Sequence, residues 1–155
     1  IQKIVHKNLI EAGGIKYSKD EYKFANEIYK TFIDPDNVIG SQELVRPFKT
    51  SHGYGSTDVG DVSWNVPTAG LRTATWVPGT ASHSWQAVAS GGMSIGLKGA
   101  ELAATVLSSS AIEIYQNPQI IKEASNELKE RTGENFNYFP LLGNRKPPLD
   151  YRKVN

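Results

Sequence analysis

A chain of 155 residues with 39% hydrophobic and 21% charged residues has the composition of one ordinary globular domain. Its 17 basic and 16 acidic residues nearly cancel, which argues against a nucleic-acid partner. There is no cysteine, so disulfides and thiolate metal sites are excluded. No apolar run approaches about 18 residues, so we expect no membrane partner and a cytoplasmic location. The chain begins at Ile1 rather than methionine, and we expect a fragment of a longer protein.

Two amphipathic helices are predicted in the first third of the chain. Apolar residues recur at helical spacing from Ile1 to Ala12, and Gly13 ends this helix. Ser18 and Glu21 form a capping box that begins the second helix, which we expect to end before Pro35. Tyr17 and Tyr22 occupy the positions of a hydrophobic staple. The predicted buried face of the second helix comprises Tyr22, Ala25, Ile28, Tyr29 and Phe32.

The middle of the chain alternates polar loops with short elements. A Gly-punctuated polar loop from Gly53 to Asp58 follows a stretch without pattern. A helical turn is predicted from Val59 to Trp64, and residues 66–77 have the composition of a strand. A second polar loop carries His83. Two polar loops held by one strand are typical of a pocket lining, because loops carry function while strands position them.

The last third is predicted to be helical. A long helix runs from Met93 to about Tyr115, and a stripe of small residues along it would let it pack closely on a sheet or helix. Asn117 as cap and Pro118 in the first turn begin another helix, which Gly133 ends. Helices that bracket a strand region indicate an α/β fold with layered packing.

Two motifs resemble a known family when they are taken together. Gly55–Trp64 (GSTDVGDVSW), followed by Val66-Pro67-Thr68, and Ser82–Gln86 (SHSWQ) are similar to the C-terminal third of the zinc aminoacylase/carboxypeptidase metallopeptidases. The nearest likeness is to the branch that contains the B-type subunit of aminobenzoyl-glutamate hydrolase. The resemblance implies a three-layer αβα catalytic domain, of which residues 13–155 would be the C-terminal portion. Residues 1–12 would then be the last helix of a lid domain through which relatives form homodimers.

The resemblance also implies roles for four residues. His83 would bind one of two zinc ions, or of another divalent metal, and Ser56, Thr57 and Asp58 would lie against the substrate. From the residues alone, a surface loop histidine is the more frequent role for a residue such as His83. The loop at 56–58 is equally compatible with an Asx or Ser/Thr turn, in which side chains only cap local N–H groups.

Two functional hypotheses follow from these observations. The family's His-x-Asp motif and catalytic Glu-Glu pair are absent from this sequence, so we expect no catalytic residue here and no activity from the isolated chain. The first hypothesis is a C-terminal part of a zinc-dependent amidohydrolase that cleaves an acyl- or aroyl-amino acid or a dipeptide. Its partners would be this small substrate and the missing N-terminal part, without which the chain would self-associate. The second hypothesis is a non-catalytic domain that binds a small ligand or a partner chain.

Overall fold

The computed structural model describes residues 1–50, 53–55, 57–150 and 152, and this part of the chain is helical. The α-helices are α1 Gln2–Ala12, α2 Lys19–Tyr29, α3 Val59–Ser63, α4 Trp85–Gly91, α5 Ser94–Gln116 and α6 Pro118–Thr132, with a 3₁₀ turn at Ser41–Glu43. No β-strand occurs among the described residues. The prediction of an α/β, three-layer fold with strands is therefore wrong.

The reason lies in the stretch that was predicted as a strand. Residues 67–75 adopt no regular secondary structure, because a strand exists only where its backbone groups bond to a neighbouring strand and none is present among the described residues. The stretch instead lies against α5, where the Thr73 hydroxyl donates to the Gly99 carbonyl at 2.8 Å. A Cβ atom on Gly99 would lie 2.6 Å from Thr75 Cγ2. The small residue at position 99 thus permits close packing on this irregular segment rather than on a sheet.

The predicted signals at the first two helices are confirmed. Gly13 ends α1 with a φ of 80°, a conformation that glycine adopts without strain. The Glu21 N–H donates to Ser18 Oγ at 3.2 Å and the Ser18 N–H donates to Glu21 Oε2 at 2.6 Å, which completes the capping box. The rings of Tyr17 and Tyr22 pack edge to face with their centroids 5.5 Å apart. The helix nevertheless ends at Tyr29, well before Pro35, because the Thr31 and Phe32 amides bond back three residues and tighten the chain.

The helices of the last third also follow the predicted bounds closely. Pro118 occupies the first turn of α6 and Gly133 ends it with a φ of 92°. The predicted side-chain cap is wrong, because the Asn117 side chain makes no capping hydrogen bond. Ala124 is buried on this helix, whereas Ile121 is 47% exposed. No helix in the described ranges is both long and apolar enough to cross a bilayer.

The core joins the second helix to the start of α5. Its buried members are Ile15, Tyr17, Ala25, Ile28, Val77 and Ile95. Partly buried Tyr22, Tyr29 and Phe32 pack against this cluster, so the predicted face of α2 does point to the core. Polar contacts hold α1 on α5: Asn8 donates to the Ser110 hydroxyl at 3.2 Å, and Lys7 pairs with Glu113 at 2.8 Å. Val77 therefore anchors the segment that leads to His83 in the same core as α2.

Candidate functional site

His83 lies in an exposed turn between the Pro78-Gly79 turn and the start of α4. Its φ is 60°, in the left-handed region that few non-glycine residues adopt but that histidine enters more often than most. The next residue fixes the turn, because Ser84 Oγ accepts from the Ala87 N–H at 3.2 Å and donates to the Ala81 carbonyl at 2.7 Å. The backbone of His83 is thus held between a capped helix and a buried anchor, while its imidazole faces solvent.

The described residues do not assemble a metal site around this histidine. A structural or catalytic zinc ion needs three or four protein ligands of the His, Cys, Asp or Glu type. No group of three such residues that could hold a metal ion exists in the ranges that the structure describes. The described residues therefore cannot hold the predicted zinc ion without further ligands. His83 would supply one nitrogen ligand.

The polar loop at 56–58 is described in part. Ser56 lies outside the described residues, so its predicted role in substrate binding has no structural account. Thr57 Oγ1 accepts from the Val59 N–H at 3.3 Å, which is the local capping that the alternative interpretation of this loop predicts. Asp58 precedes α3 but its side chain makes no capping hydrogen bond, and it is exposed. The Asp58 carboxylate therefore does not stabilise the loop by capping the helix.

The helical turn after this loop is confirmed as α3, and the C-terminal tail holds it in place. Tyr138 donates a hydrogen bond to Asp61, and that carboxylate raises the pKa of the Tyr138 hydroxyl. The Trp64 ring stacks on Phe136 with centroids 5.1 Å apart. Sequence reasoning missed both contacts, because they join residues more than 70 positions apart. Asp61 and Trp64 thus anchor the turn.

The structure does not join the two predicted halves of the site. No hydrogen bond, ion pair or ring contact links His83 to Thr57 or Asp58 within the described ranges. The chain's large groove is lined by Ser82 but by none of these three residues. The pocket predicted between the two polar loops is distinct from this groove and stays a prediction.

Sequence reasoning did not find that groove. It has a volume of about 1230 Å³ and lies between α1, the segment at 41–50 and the segment at 70–80. Arg46, Lys49 and Arg72 line it, and none of the described residues that line it is an aspartate or glutamate. The rings of His6 and Phe48, which both line the groove, have their centroids 5.4 Å apart. The cations come from segments that are distant along the chain, so only their folding together creates the positive lining.

A buried carboxylate outside the groove could be mistaken for a general base. Glu21 is 6% exposed, and Ser94 and Lys98 from α5 donate to its two oxygens at 2.6 and 2.5 Å. Burial raises the pKa of Glu21, but the hydrogen bonds from Lys98, Ser94 and the Ser18 backbone together outweigh it and hold the pKa at about 2. A carboxylate with so low a pKa is a poor proton acceptor near neutral pH. Glu21 is a structural ion-pair partner.

Part of this chain is similar to a known hydrolase. No protein-family profile matches it, and no solved structure does. It is 34% identical over 92 residues to the B-type subunit of p-aminobenzoyl-glutamate hydrolase from Escherichia coli. The match covers 59% of this chain and 19% of that protein, so the chain spans about a fifth of the length of the relative it matches. The comparison confirms the resemblance to this aminobenzoyl-glutamate hydrolase that the two motifs predicted.

Proposed function

We propose that this chain is part of a metal-dependent amidohydrolase that cleaves the amide bond of an acyl- or aroyl-amino acid, with an aminobenzoyl-glutamate-like compound as the substrate. The observation that carries the proposal is the 34% identity over 92 residues to a protein named as a hydrolase of p-aminobenzoyl-glutamate. In such a reaction water adds to the amide carbonyl, the C–N bond breaks, and a carboxylic acid and an amino acid are released.

In this proposal His83 supplies one ligand to a metal site that other residues complete. Two observations support that role. The imidazole is exposed, and its backbone is held in the left-handed region at a φ of 60° by a capped helix on one side. Residues in sparsely populated backbone regions cost about 1–3 kcal/mol and cluster at functional sites. The missing ligands and the general base come from the rest of the hydrolase.

The Thr57 and Asp58 side chains are proposed to contact the substrate, together with Ser56. The support is chemical: Asp58 is exposed and makes no local cap, so its carboxylate is available to a substrate N–H or to a loop that closes over it. Thr57 Oγ1 accepts one hydrogen bond from the Val59 N–H and retains its own O–H donor for a substrate carboxylate.

The isolated chain provides the first test. Because no described group of residues completes a metal site, we expect well under one zinc ion per chain by elemental analysis and no hydrolysis of p-aminobenzoyl-glutamate. Turnover by the purified chain, abolished by His83→Ala, would contradict this expectation. It would show that the chain itself completes a site.

A chimera provides the decisive test of the role of His83. The matching segment of the Escherichia coli p-aminobenzoyl-glutamate hydrolase is replaced by this chain, and metal content and hydrolysis are measured. We expect activity that His83→Ala lowers at least 100-fold together with a loss of bound metal. The matched control is His6→Ala, a histidine on α1 that should leave both unchanged. A folded chimera with full activity after His83→Ala would refute the assignment.

A second candidate function is a non-catalytic domain that binds a ligand or partner chain. It is favoured by one observation, the large positive groove that contains neither His83 nor the 57–58 loop. The chimera separates the two candidates, because a binding domain would bring no His83-dependent hydrolysis.

A further inference from the structure

The segment at 70–80 presents its backbone edge to the groove. Every residue from 70 to 80 lines the groove, whereas an extended chain that turned one side-chain face to it would contribute alternate residues. The N–H groups of residues 71–77 donate no hydrogen bond to any described residue. The carbonyl groups of residues 71–75 accept none within the same described part of the chain. An open backbone edge is the feature that an extended partner segment pairs with.

The opposite side of this segment is fixed, so the edge is ready for pairing. Thr73 is bonded to Gly99 of α5, Val77 is 1% exposed in the core, and Gln2 holds both backbone groups of Gly70 at 2.8 and 3.1 Å. The segment is therefore anchored at its start, middle and end. Binding a partner would therefore cost little extra conformational entropy in this segment, because these contacts already hold it in place.

Charge decides which kind of extended segment fits. The described residues that line the groove include the cations Arg46, Lys49 and Arg72 and no carboxylate. Arg72 and Lys49 are exposed and form no salt bridge within the described residues. A second copy of this chain would bring the same cations to the groove, and like charges at such an interface repel. An acidic segment would meet three favourable partners.

We propose that the groove binds an extended, acidic polypeptide segment that pairs with the backbone edge of residues 71–77. Paired as a strand at about 3.3 Å per residue, these seven residues would offer an edge of roughly 20 Å. The apolar side chains Val5, Leu9, Leu71 and Leu102 also line the groove and receive the partner's alternate apolar side chains. The surface excludes His83, Thr57 and Asp58, so this proposal stands or fails independently of the amidohydrolase proposal.

The experiment uses the whole chain, labelled for NMR, and two synthetic peptides. Both have about seven residues with valine at alternate positions, and the residues between are aspartate in one peptide and lysine in the other. We expect the aspartate peptide to bind at least ten-fold more tightly. It should slow hydrogen exchange at least ten-fold at alternate amides of residues 71–77, because successive N–H groups of an extended chain point to opposite edges.

One charge-reversal variant and its control sharpen the test. Arg72→Glu should weaken the aspartate peptide at least ten-fold and strengthen the lysine peptide. Lys122→Glu makes the same charge change on the exposed side of α6 and should alter neither affinity. Both positions are exposed, so the variants should fold as the parent does.

Three outcomes would overturn the proposal. The first is equal affinity for the two peptides. The second is a chain that dimerises in sedimentation with the amides of residues 71–77 already protected, since the occupant would then be a second copy. The third is binding of free glutamate at Arg72 without any change in amide exchange at residues 71–77, since the groove would then bind a small carboxylate.

Discussion

Replacing Glu21 with glutamine removes the buried charge that ties the start of α2 to α5. Glutamine keeps the shape of the side chain and can still accept from the Ser18 N–H, as the capping box requires. It cannot form the ion pair with Lys98, whose ammonium would be left with the Lys16 carbonyl at 3.0 Å. The variant removes the charge, and because glutamine has one acceptor oxygen it also turns an amide NH₂ toward Ser94 Oγ.

The expected size of the effect follows from the pKa of Glu21. That pKa is about 2 in the folded chain, against an ordinary value of 4.5. Each pKa unit corresponds to about 1.4 kcal/mol, so the ionised carboxylate contributes roughly 3 kcal/mol to the free energy of unfolding at pH 7. Because the folded pKa is the lower one, this contribution is complete above about pH 5. It is lost as the pH falls toward 2, with about half remaining at pH 3.

Urea unfolding at pH 7, 5, 3 and 2 measures this dependence. At pH 7 a loss of about 3 kcal/mol with a slope near 2 kcal/mol per molar would lower the midpoint by about 1.5 M. The difference between the parent and Glu21→Gln should shrink through pH 3 and vanish near pH 2. The matched control is Asp20→Asn, which removes an exposed carboxylate from the same helical turn. It should cost at most about 1 kcal/mol through the helix dipole.

A pH-independent loss would refute this reasoning. If Glu21→Gln were equally destabilising at pH 7 and pH 2, the cause would be altered packing or capping, and the pairing with Lys98 would contribute nothing. An effect at pH 7 no larger than that of Asp20→Asn would also refute it, because the pKa of Glu21 would then be near its ordinary value.

Three further changes test the packing of the long helix and its neighbours, all by urea unfolding. Gly99→Ala should lower the free energy of unfolding by about 1–3 kcal/mol, because its Cβ would lie 2.6 Å from Thr75 Cγ2. In the control Gly60→Ala the new Cβ meets nothing within 4 Å, and the free energy of unfolding should rise by up to about 1 kcal/mol. Equal effects of the two alanines would contradict the close packing at position 99. Ser90→Ala should stabilise by about 1 kcal/mol, because the buried Ser90 hydroxyl has no hydrogen-bond partner among the described residues. A destabilised Ser90→Ala would show that this hydroxyl is paired. Ser94→Ala should destabilise by about 1–2 kcal/mol through the lost bond to Glu21 at 2.6 Å, and an unchanged midpoint would contradict that contact.

Local signals in the sequence predicted the helices well because their causes lie within a few residues. The capping box spans Ser18 to Glu21, and glycine ends α1 and α6 through its own backbone freedom. The helical turn at Val59–Ser63 was predicted for the same reason. The candidate site was predicted less completely. His83 is proposed as one metal ligand, and the described residues do not supply the other ligands that a metal site needs.

The sequence by itself thus determined where most helices begin and end and which known hydrolase this chain resembles. Only the tertiary structure decided what becomes of residues 66–77, since pairing of an extended segment depends on a neighbour that composition cannot specify. It also decided that Glu21 is an ion-pair partner, because Lys98 lies 77 residues away along the chain. The positive groove arises in the same way, from α1, residues 41–50 and residues 70–80 folded together. Backbone capping is a short-range effect, whereas charge burial, strand pairing and concavity depend on contacts between distant parts of the chain.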